Sequence, residues 1–150
     1  MFIRVKRVRE EAMLPTRANP SDAGADVYYC PENSIVQRIK PGQSKLFQTG
    51  LKFEVPHGYM LEVKNRSSVA AKSSLIVGAC VIDSGYNGEV FVNLHNIGET
   101  ERIIYPGEKI AQVVLIPVTP FRVLETEGEL YSDAVTISNR GDGALGSTGG

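Results

Sequence analysis

The stretch VGACVIDSGYNGEVFVNLHN, residues 77–96, contains two strand-like runs on either side of a turn and so indicates a β-rich fold. The runs are rich in β-branched and aromatic side chains, and the turn SGYNG, residues 84–88, is rich in glycine. Asp83 and Tyr86 lie at the mouth of this turn, where a carboxylate can hold a water molecule and a ring can support a sugar. If each residue is considered alone, a structural role is favoured: turn capping for Asp83 and hairpin packing for Tyr86.

The rest of the chain repeats this strand-rich pattern. The whole chain contains 27 valines and isoleucines against 10 leucines, and turn signals such as KPGQ, PHG and YPGE separate its short apolar runs. Many short strands without intervening helical patterns predict an all-β sandwich or barrel. The predicted strands cover residues 2–8, 24–29, 45–48, 51–55, 60–64, 75–82, 89–96, 109–117 and 121–123. One short helix is predicted within SSVAAKSS, residues 67–74.

Length and composition narrow the class of protein. At 150 residues the chain is expected to form one domain around a single core. Its formal net charge of -1 argues against a broad surface for nucleic acid or an anionic membrane. Cys30 and Cys80 lie far apart and predict free thiols rather than a disulfide or a zinc site. With no secretory signal and no run of about 20 apolar residues, we expect a soluble intracellular protein.

Two further stretches carry groups suited to phosphate. In NRSSVAAK, residues 65–72, Arg66 stands beside Ser67 and Ser68, so that one fixed cation and two hydroxyls come together. The chain ends in RGDGALGSTGG, residues 140–150, whose glycine-rich backbone can wrap around an anion. From composition alone this end is more simply a disordered terminus. It makes sense as a phosphate-binding arm if a polyphosphate orders it.

Five stretches of the chain resemble, in the same order, the five sequence motifs of the trimeric dUTP pyrophosphatases, or dUTPases. They are AGADV (residues 23–27), NRSSVA (65–70), GACVIDSGYNGEV (78–90), GEKIAQVV (107–114) and RGDGALGSTG (140–149). The third is the most specific, and together they span nearly the whole chain. Five ordered motifs outweigh the structural interpretations of the single residues.

The resemblance implies a fold, an assembly and a reaction. The expected fold is a jelly-roll-like β-barrel over residues 1–138, followed by a mobile glycine-rich arm over residues 139–150. The expected assembly is a homotrimer whose active sites are shared between subunits, with no nucleic-acid or membrane partner. The implied reaction is hydrolysis of dUTP to dUMP and pyrophosphate by water attack on the α-phosphorus, which limits uracil incorporation into DNA and supplies dUMP for thymidylate synthesis. The implied cofactor is Mg²⁺, held by triphosphate oxygens and water rather than directly by the protein.

Carried over by motif, the resemblance gives each site residue a role. Asp83 is expected to polarise the attacking water as general base, and Gln112 to help place that water. Asp26 is expected to pair with Arg66 or to order the water shell of the metal, and a structural turn carboxylate is an equal alternative. The implied substrate-binding residues are Arg66, Ser67, Ser68, Cys80, Ile82, Tyr86, Phe91, Arg140, Leu145, Gly146, Ser147 and Thr148.

Substrate selection is expected to lie in the hairpin. The ring of Tyr86 under the deoxyribose leaves no room for a 2′-hydroxyl, and main-chain groups near Cys80 and Phe91 are expected to read the uracil edge. Arg140 and the hydroxyls of the arm are expected to close on the γ-phosphate as a lid.

The chain departs from the usual family motifs at four positions. Asn65 replaces a common proline or glycine, and Cys80 replaces the glycine that usually precedes VID. In the arm, Ala144 and Leu145 replace glycine and phenylalanine. Leucine retains apolar cover over the base but loses ring stacking, worth about 1 kcal/mol, so weaker arm closure is expected.

Two other interpretations stay open from the sequence. The related dCTP deaminases share the fold but act on the base, and ammonia release from dCTP would identify that activity. A trimeric homologue could also bind the nucleotide to regulate a partner without hydrolysing it. Tight dUTP binding without turnover would identify that function.

Overall fold

The computed structural model describes residues 1–132 and 138–145 of the chain. The chain divides into two compact units, Met1–Pro120 and Phe121–Gly150. Within the described residues all strands and the one helix lie in the first unit, so the predicted all-β class is confirmed. The elements are β1 (Arg4–Arg7), β2 (Ala25–Tyr28), β3 (Gln37–Ile39), β4 (Ser44–Gln48), β5 (Leu51–Glu54), β6 (Tyr59–Lys64), α1 (Ser67–Ser73), β7 (Leu75–Val77), β8 (Val81–Asp83), β9 (Phe91–Asn96), β10 (Arg102–Ile104) and β11 (Lys109–Pro117).

The strands pair antiparallel in four open sheets across the described part of the chain. The largest sheet has the order β2-β11-β6-β8, and the second has the order β4-β9-β7. Two small sheets pair β1 with β5 and β10 with β3. Side chains from all four sheets meet in one hydrophobic core, which lets several short strands stabilise one another.

Strand β9 shows how the sequence pattern places the core. Its side chains alternate along the strand, with Val92 and Leu94 fully buried and Phe91 exposed. The buried polar side chain at the end of β9, Asn96, has hydrogen-bond partners. Asn96 donates from Nδ2 to the carbonyls of Ile39 and Thr100, both at 2.9 Å. The alternation therefore gives the outer face of β9 to solvent while its inner face fixes the sheet.

Most of the predicted elements are confirmed, with boundaries that differ by one or two residues. The short helix occurs as α1, and Ser74, which follows it, has a left-handed backbone conformation. Strands β3 and β10 have no counterpart among the predicted strands, because three residues carry no clear periodicity. The prediction of a strand over residues 121–123 is wrong. Phe121 and Val123 are 84% and 87% exposed and belong to no β-ladder.

The single strand predicted over residues 75–82 is also wrong, because the chain changes sheets within it. Strand β7 pairs with β9, whereas β8 pairs with β6 in the other large sheet. The switch takes three residues, which begin at Gly78. A β-carbon on Gly78 would overlap the side chains of Asn93 and His95, so a larger residue would have to displace them.

In the described residues, no helix is long and apolar enough to cross a membrane. The second unit contains no strand in its described residues, and its apolar side chains Leu124 and Leu130 are 90% and 75% exposed. The boundary predicted after residue 138 stays a prediction.

Substituting the same residue type inside and outside the core tests this arrangement. Leu94→Ala should lower the free energy of unfolding by about 2–5 kcal/mol, because Leu94 is 0% exposed and its removal leaves a cavity. Leu46→Ala, at a site that is 58% exposed on the neighbouring strand, should change it by no more than about 0.5 kcal/mol. Urea unfolding measures both variants, and equal losses would contradict the assigned faces of the sheet.

Candidate active site

The predicted hairpin is not a paired one, because β8 pairs with β6 whereas β9 pairs with β4 and β7. The name hairpin is kept here for the strand–turn–strand segment β8–β9, whose turn presents Asp83 to solvent. Along β8 the residues alternate exposed, buried, exposed, so that Ile82 is held in the core while Asp83 points outward. The turn that follows is closed by the Tyr86 N–H, which donates to the Asp83 carbonyl at 3.2 Å. Ser84 Oγ also donates to the Val55 carbonyl at 2.9 Å. The exposed carboxylate therefore sits on a strand end that is anchored on both sides.

The ring of Tyr86 lies back across this turn. Its hydroxyl donates to the Glu89 carbonyl at 2.8 Å, and 47% of the residue remains exposed. A β-carbon on Gly88 would overlap the Tyr86 hydroxyl, so glycine is required there for this ring position. The ring thus offers a fixed, partly open aromatic face at the mouth of the hairpin.

A cleft of about 280 Å³, here called the hairpin cleft, opens between β8 and β9. Of the predicted site residues, Cys80, Ile82, Asp83, Tyr86 and Phe91 line it. Ile82 is only 7% exposed, so its side chain contributes mainly to the core. The thiol of Cys80 is free, as predicted, and that of Cys30 is free and buried.

The main chain of Phe91 is oriented toward this cleft. Thr49 N–H donates to the Val90 carbonyl, so the next pair, Gln48 and Phe91, is a pair without hydrogen bonds between its members. The amide and carbonyl of Phe91 therefore point away from β4. On that side the pairing of β9 with β7 ends where Gly78 N–H donates to the Asn93 carbonyl at 2.9 Å. Because the chain then leaves for β8, the Phe91 edge of β9 faces the cleft rather than another strand.

A second cleft, of about 230 Å³, is lined by Arg66 and is here called the Arg66 cleft. Ser67, Ser68, Asp26 and Gln112 line it as well. Arg66 Nε donates to Asp26 Oδ1 at 2.8 Å, which is one of the two partnerships predicted for Asp26. The side chains of Arg66 and Asp26 are 25% and 18% exposed, so this ion pair is partly shielded from water.

Lys109 adds a second cation to the same carboxylate, with its Nζ 3.4 Å from Asp26 Oδ2. The sequence analysis missed Lys109, because only the pairing of β11 with β2 brings it next to Asp26. With both carboxylate oxygens engaged, Asp26 fixes the guanidinium of Arg66 rather than standing free.

Gln112 is held between two backbone segments. It lies at the crossing of the ladders, paired with Asp26 on β2 and with Lys64 on β6. Its Nε2 donates to the carbonyl of Asn65 at 2.8 Å. The Asn65 side chain also accepts a hydrogen bond from Val77 N–H at 2.7 Å. Asn65, one of the departures from the usual motif, therefore connects the residues just before α1 to β7. Gly24 makes room for Gln112, since a β-carbon there would overlap the amide.

The two clefts lie apart within one chain and share no lining residue. On β6, Met60 pairs with Asp83 and Lys64 pairs with Gln112, from strands on opposite sides. Four residues of strand length and two strand spacings separate the backbone positions of Asp83 and Gln112, or roughly 16 Å. Asp83 and Gln112 of the same chain therefore cannot contact one small reacting group.

The predicted arm lies in the second unit. Arg140 Nε donates to the Gly143 carbonyl at 2.8 Å, within a turn in which Gly141 has a φ of 59°. Positive φ in this turn occurs at Gly141 and not at Ala144, so the β-carbon of Ala144 meets no backbone strain there. Leu145 is fully exposed. The predicted site residues Gly146, Ser147 and Thr148 lie outside the described residues.

The chain is similar in sequence to known dUTP-hydrolysing enzymes. The dUTPase family model matches residues 10–149. The deoxyuridine 5′-triphosphate nucleotidohydrolase of Syntrophotalea carbinolica is 37% identical over 149 residues, covering 98% of this chain and 96% of that protein. The protein of the same name from Chlamydia trachomatis serovar L2 is 38% identical over 145 residues, with 95% of each covered.

Solved structures share the fold. A mutant dUTPase of Staphylococcus bacteriophage 80alpha with dUpNHpp has a TM-score of 0.86 at 24% identity, over 99% of both chains. A mutant dUTPase from phage phi11 of S. aureus, described with a structural Mg(II) ion, has a TM-score of 0.78 at 22% identity. It covers 87% of this chain and 99% of that one. At these identities the likeness concerns the fold.

The contact between Gly24 and Gln112 yields a prediction about local structure. Gly24→Ala should displace the Gln112 side chain and break its hydrogen bond to the Asn65 carbonyl, because the added β-carbon occupies the same space. The measurement is the Gln112 side-chain amide signal in a ¹H–¹⁵N spectrum, assigned with Gln112→Ala. Gly128→Ala, where a β-carbon meets only Thr126 Oγ1 at 3.6 Å, is the control. An unshifted Gln112 signal in Gly24→Ala would rule out this packing.

Proposed function

Because the chain belongs to the dUTPase family and hydrolyses dUTP to dUMP, we propose that it does so at a site built from the hairpin cleft of one subunit and the Arg66 cleft of another. The observation that carries this proposal is the strand register on β6, which places Asp83 and Gln112 of one chain roughly 16 Å apart. In this proposal the all-β unit forms a jelly-roll-like barrel that assembles as a homotrimer.

Asp83 acts as the general base. Its exposed carboxylate, on an anchored strand end, holds a water molecule and accepts a proton as the water attacks the α-phosphorus. The new bond joins the water oxygen to the α-phosphorus, and the bond to the bridging oxygen breaks to release pyrophosphate. Gln112, held by the Asn65 carbonyl, helps to place the water and contacts the α-phosphate from the other subunit. Holding the reactants in this geometry lowers the barrier by several kcal/mol, on the order of what positioning supplies elsewhere.

The hairpin cleft selects the nucleoside. The amide and carbonyl of Phe91 face this cleft and offer one donor and one acceptor, as a neighbouring base would, to the edge of uracil. Cys80 provides less to this edge than the sequence suggests, since its carbonyl already accepts Val63 N–H at 2.7 Å. Tyr86 supports the deoxyribose, and the fixed ring leaves no space for a 2′-hydroxyl.

The Arg66 cleft receives the triphosphate. Arg66 provides a guanidinium oriented by Asp26, and the exposed Ser67 and Ser68 provide hydroxyls next to it. As the bond to the leaving group breaks, negative charge gathers on the departing pyrophosphate. A preoriented cation stabilises that charge with little reorganisation.

The arm closes the site. Arg140 exchanges its bonds to the Gly143 and Ala144 carbonyls for phosphate oxygens, and Leu145 covers the base. Gly146, Ser147 and Thr148 add main-chain and hydroxyl donors at the γ-phosphate. Closure excludes water other than the attacking molecule.

Magnesium fits this site as an ion carried by the substrate. The described residues contain no cluster of three carboxylate, histidine or cysteine side chains that could hold a metal. Asp26 is engaged by Arg66 and Lys109, so it is not available as a direct ligand. When bound to triphosphate oxygens and water, Mg²⁺ neutralises phosphate charge and orients the chain of phosphates.

Substrate selectivity and the role of Asp83 can be tested together. Pyrophosphate release from dUTP, dTTP, dCTP and UTP with Mg²⁺ should be fast for dUTP alone. Asp83→Asn should lower kcat by at least about a hundredfold, because the amide cannot accept the proton. Glu101→Gln, which changes a surface carboxylate on another sheet edge, should retain full activity. Release indifferent to Asp83, or ammonia release from dCTP, would overturn the proposed chemistry.

Mixing two inactive variants tests the shared site. Asp83→Asn and Arg66→Gln should each be inactive alone, and subunits unfolded and refolded together at equal amounts should regain about a quarter of wild-type activity. In a cyclic trimer, random assembly gives one site in four an intact Asp83 from one subunit and an intact Arg66 from its neighbour. The steady-state rate of the mixture measures this, and Asp83→Asn refolded alone is the control. A mixture that stays inactive would place the whole site within one chain.

A further inference from the structure

Arg9 lies just after β1, outside residues 10–149 that match the family model and outside every motif considered above. Its guanidinium forms a two-pronged ion pair with Glu89. Nη1 donates to Glu89 Oε1 at 3.1 Å, and Nη2 donates to Glu89 Oε2. Nη2 also donates to the Cys30 carbonyl at 2.6 Å. The side chains of Arg9 and Glu89 are each 14% exposed, so solvent screens this pair far less than a surface pair.

Glu89 connects this ion pair to the hairpin cleft. The residue lines the cleft, and its main-chain carbonyl is the acceptor for the Tyr86 hydroxyl at 2.8 Å. Its carboxylate also accepts Gly50 N–H at 2.9 Å. Glu89 is thus held by its side chain on one side while its carbonyl holds the ring of Tyr86 on the other.

Glu89 is the main ion-pair partner of Arg9. The hydrogen bonding to Glu89 raises the pKa of the Arg9 guanidinium, which favours its charged form. Glu32 is the next carboxylate, 4.0 Å away, and its side chain is 67% exposed. Val8 N–H donates to the Gly50 carbonyl at 2.8 Å, so the segment that carries Arg9 is itself tied to the loop that binds Glu89.

Gly50 allows this close arrangement. Its φ is 72°, and a β-carbon there would lie 2.7 Å from the β-carbon of Ala12. A larger residue at position 50 would therefore move its own amide away from Glu89. The pair Arg9–Glu89 and the Gly50 amide together fix one end of the hairpin.

We propose that Arg9 is a positioning residue for sugar selection: by holding Glu89, it fixes the acceptor that orients the ring of Tyr86 in the hairpin cleft. The inference rests on the proposed role of Tyr86 against the 2′-position. A loosened Glu89 lets the ring move, and the space denied to a 2′-hydroxyl opens. Loss of Arg9 then changes the choice between dUTP and UTP, whereas an ion pair that only stabilises the fold changes the unfolding free energy and leaves that choice intact.

The test measures kcat/KM for dUTP and for UTP in Arg9→Gln, Glu89→Gln and the double variant. Each single variant should lower the ratio of kcat/KM for dUTP to kcat/KM for UTP about tenfold, mainly because kcat/KM for UTP rises. The double variant should lower it no further, because both substitutions break one interaction. Arg38→Gln, which breaks an exposed pair with Glu101 at 3.2 Å, is the matched control and should leave the ratio unchanged.

Two further variants test the inference even if Arg9→Gln does not fold. Arg9→Lys retains the charge but not the two-pronged geometry, so it should fold when Arg9→Gln does not and show a smaller fall in the ratio. Tyr86→Phe, which loses only the hydroxyl bond to Glu89, should show the same fall as Arg9→Gln. A folded Arg9→Gln or Arg9→Lys enzyme with the wild-type ratio would overturn the inference.

Tyr86→Ala separates this inference from the proposed function. If Tyr86→Ala leaves the ratio unchanged, the proposed role of the ring is wrong and the positioning role falls with it. If Tyr86→Ala lowers the ratio while both Arg9 variants do not, only the positioning role is wrong. Circular dichroism of each variant establishes that the compared enzymes are folded.

Discussion

The change of sheet between β7 and β8 is the constraint on which the hairpin cleft depends. Strand β9 runs on past the point where β7 leaves it, and the edge of β9 at Phe91 is left facing a space instead of a neighbouring strand. The crossover is possible because Gly78 has no side chain where those of Asn93 and His95 lie. A backbone edge exposed in this way carries unpaired donors and acceptors, which a planar polar ligand can satisfy. The same geometry that ends one β-ladder therefore creates a binding surface.

The second cleft depends on charge rather than on a gap between strands. Asp26 accepts from Arg66 and faces Lys109, and these three side chains come from a strand, a helix start and a different strand. A carboxylate between two cations holds the guanidinium in place, yet leaves the group a net positive charge. That combination suits a polyphosphate, whose charge the excess cation and the nearby hydroxyls can meet. In the proposed site the hairpin cleft of one chain takes the nucleoside and the Arg66 cleft of another takes the phosphates. Within one chain the two clefts lie toward opposite ends of β6.

Much of this could be predicted from the sequence because the relevant signals are local. Valine and isoleucine periodicity indicates strands, and the glycines of SGYNG indicate a turn that presents Asp83 and Tyr86. The Asp26–Arg66 pair followed from the motif resemblance. Other contacts carry no local signal. Lys109 reaches Asp26 only through the register of β11 and β2, and Arg9 reaches Glu89 across 80 residues of sequence.

The all-β class and the family could be predicted from the sequence alone, because periodicity and ordered motifs are properties of neighbouring residues. Which of the candidate site residues meet depends on the tertiary structure. Residues 75–82 form one continuous apolar run in the sequence, but their two halves belong to different sheets. The chain crosses between the sheets at Gly78, and the periodicity of the sequence does not indicate this crossover. The separation of Asp83 from Gln112 is likewise set by the pairing of both strands with β6, because strand register fixes which ends of the two strands lie side by side.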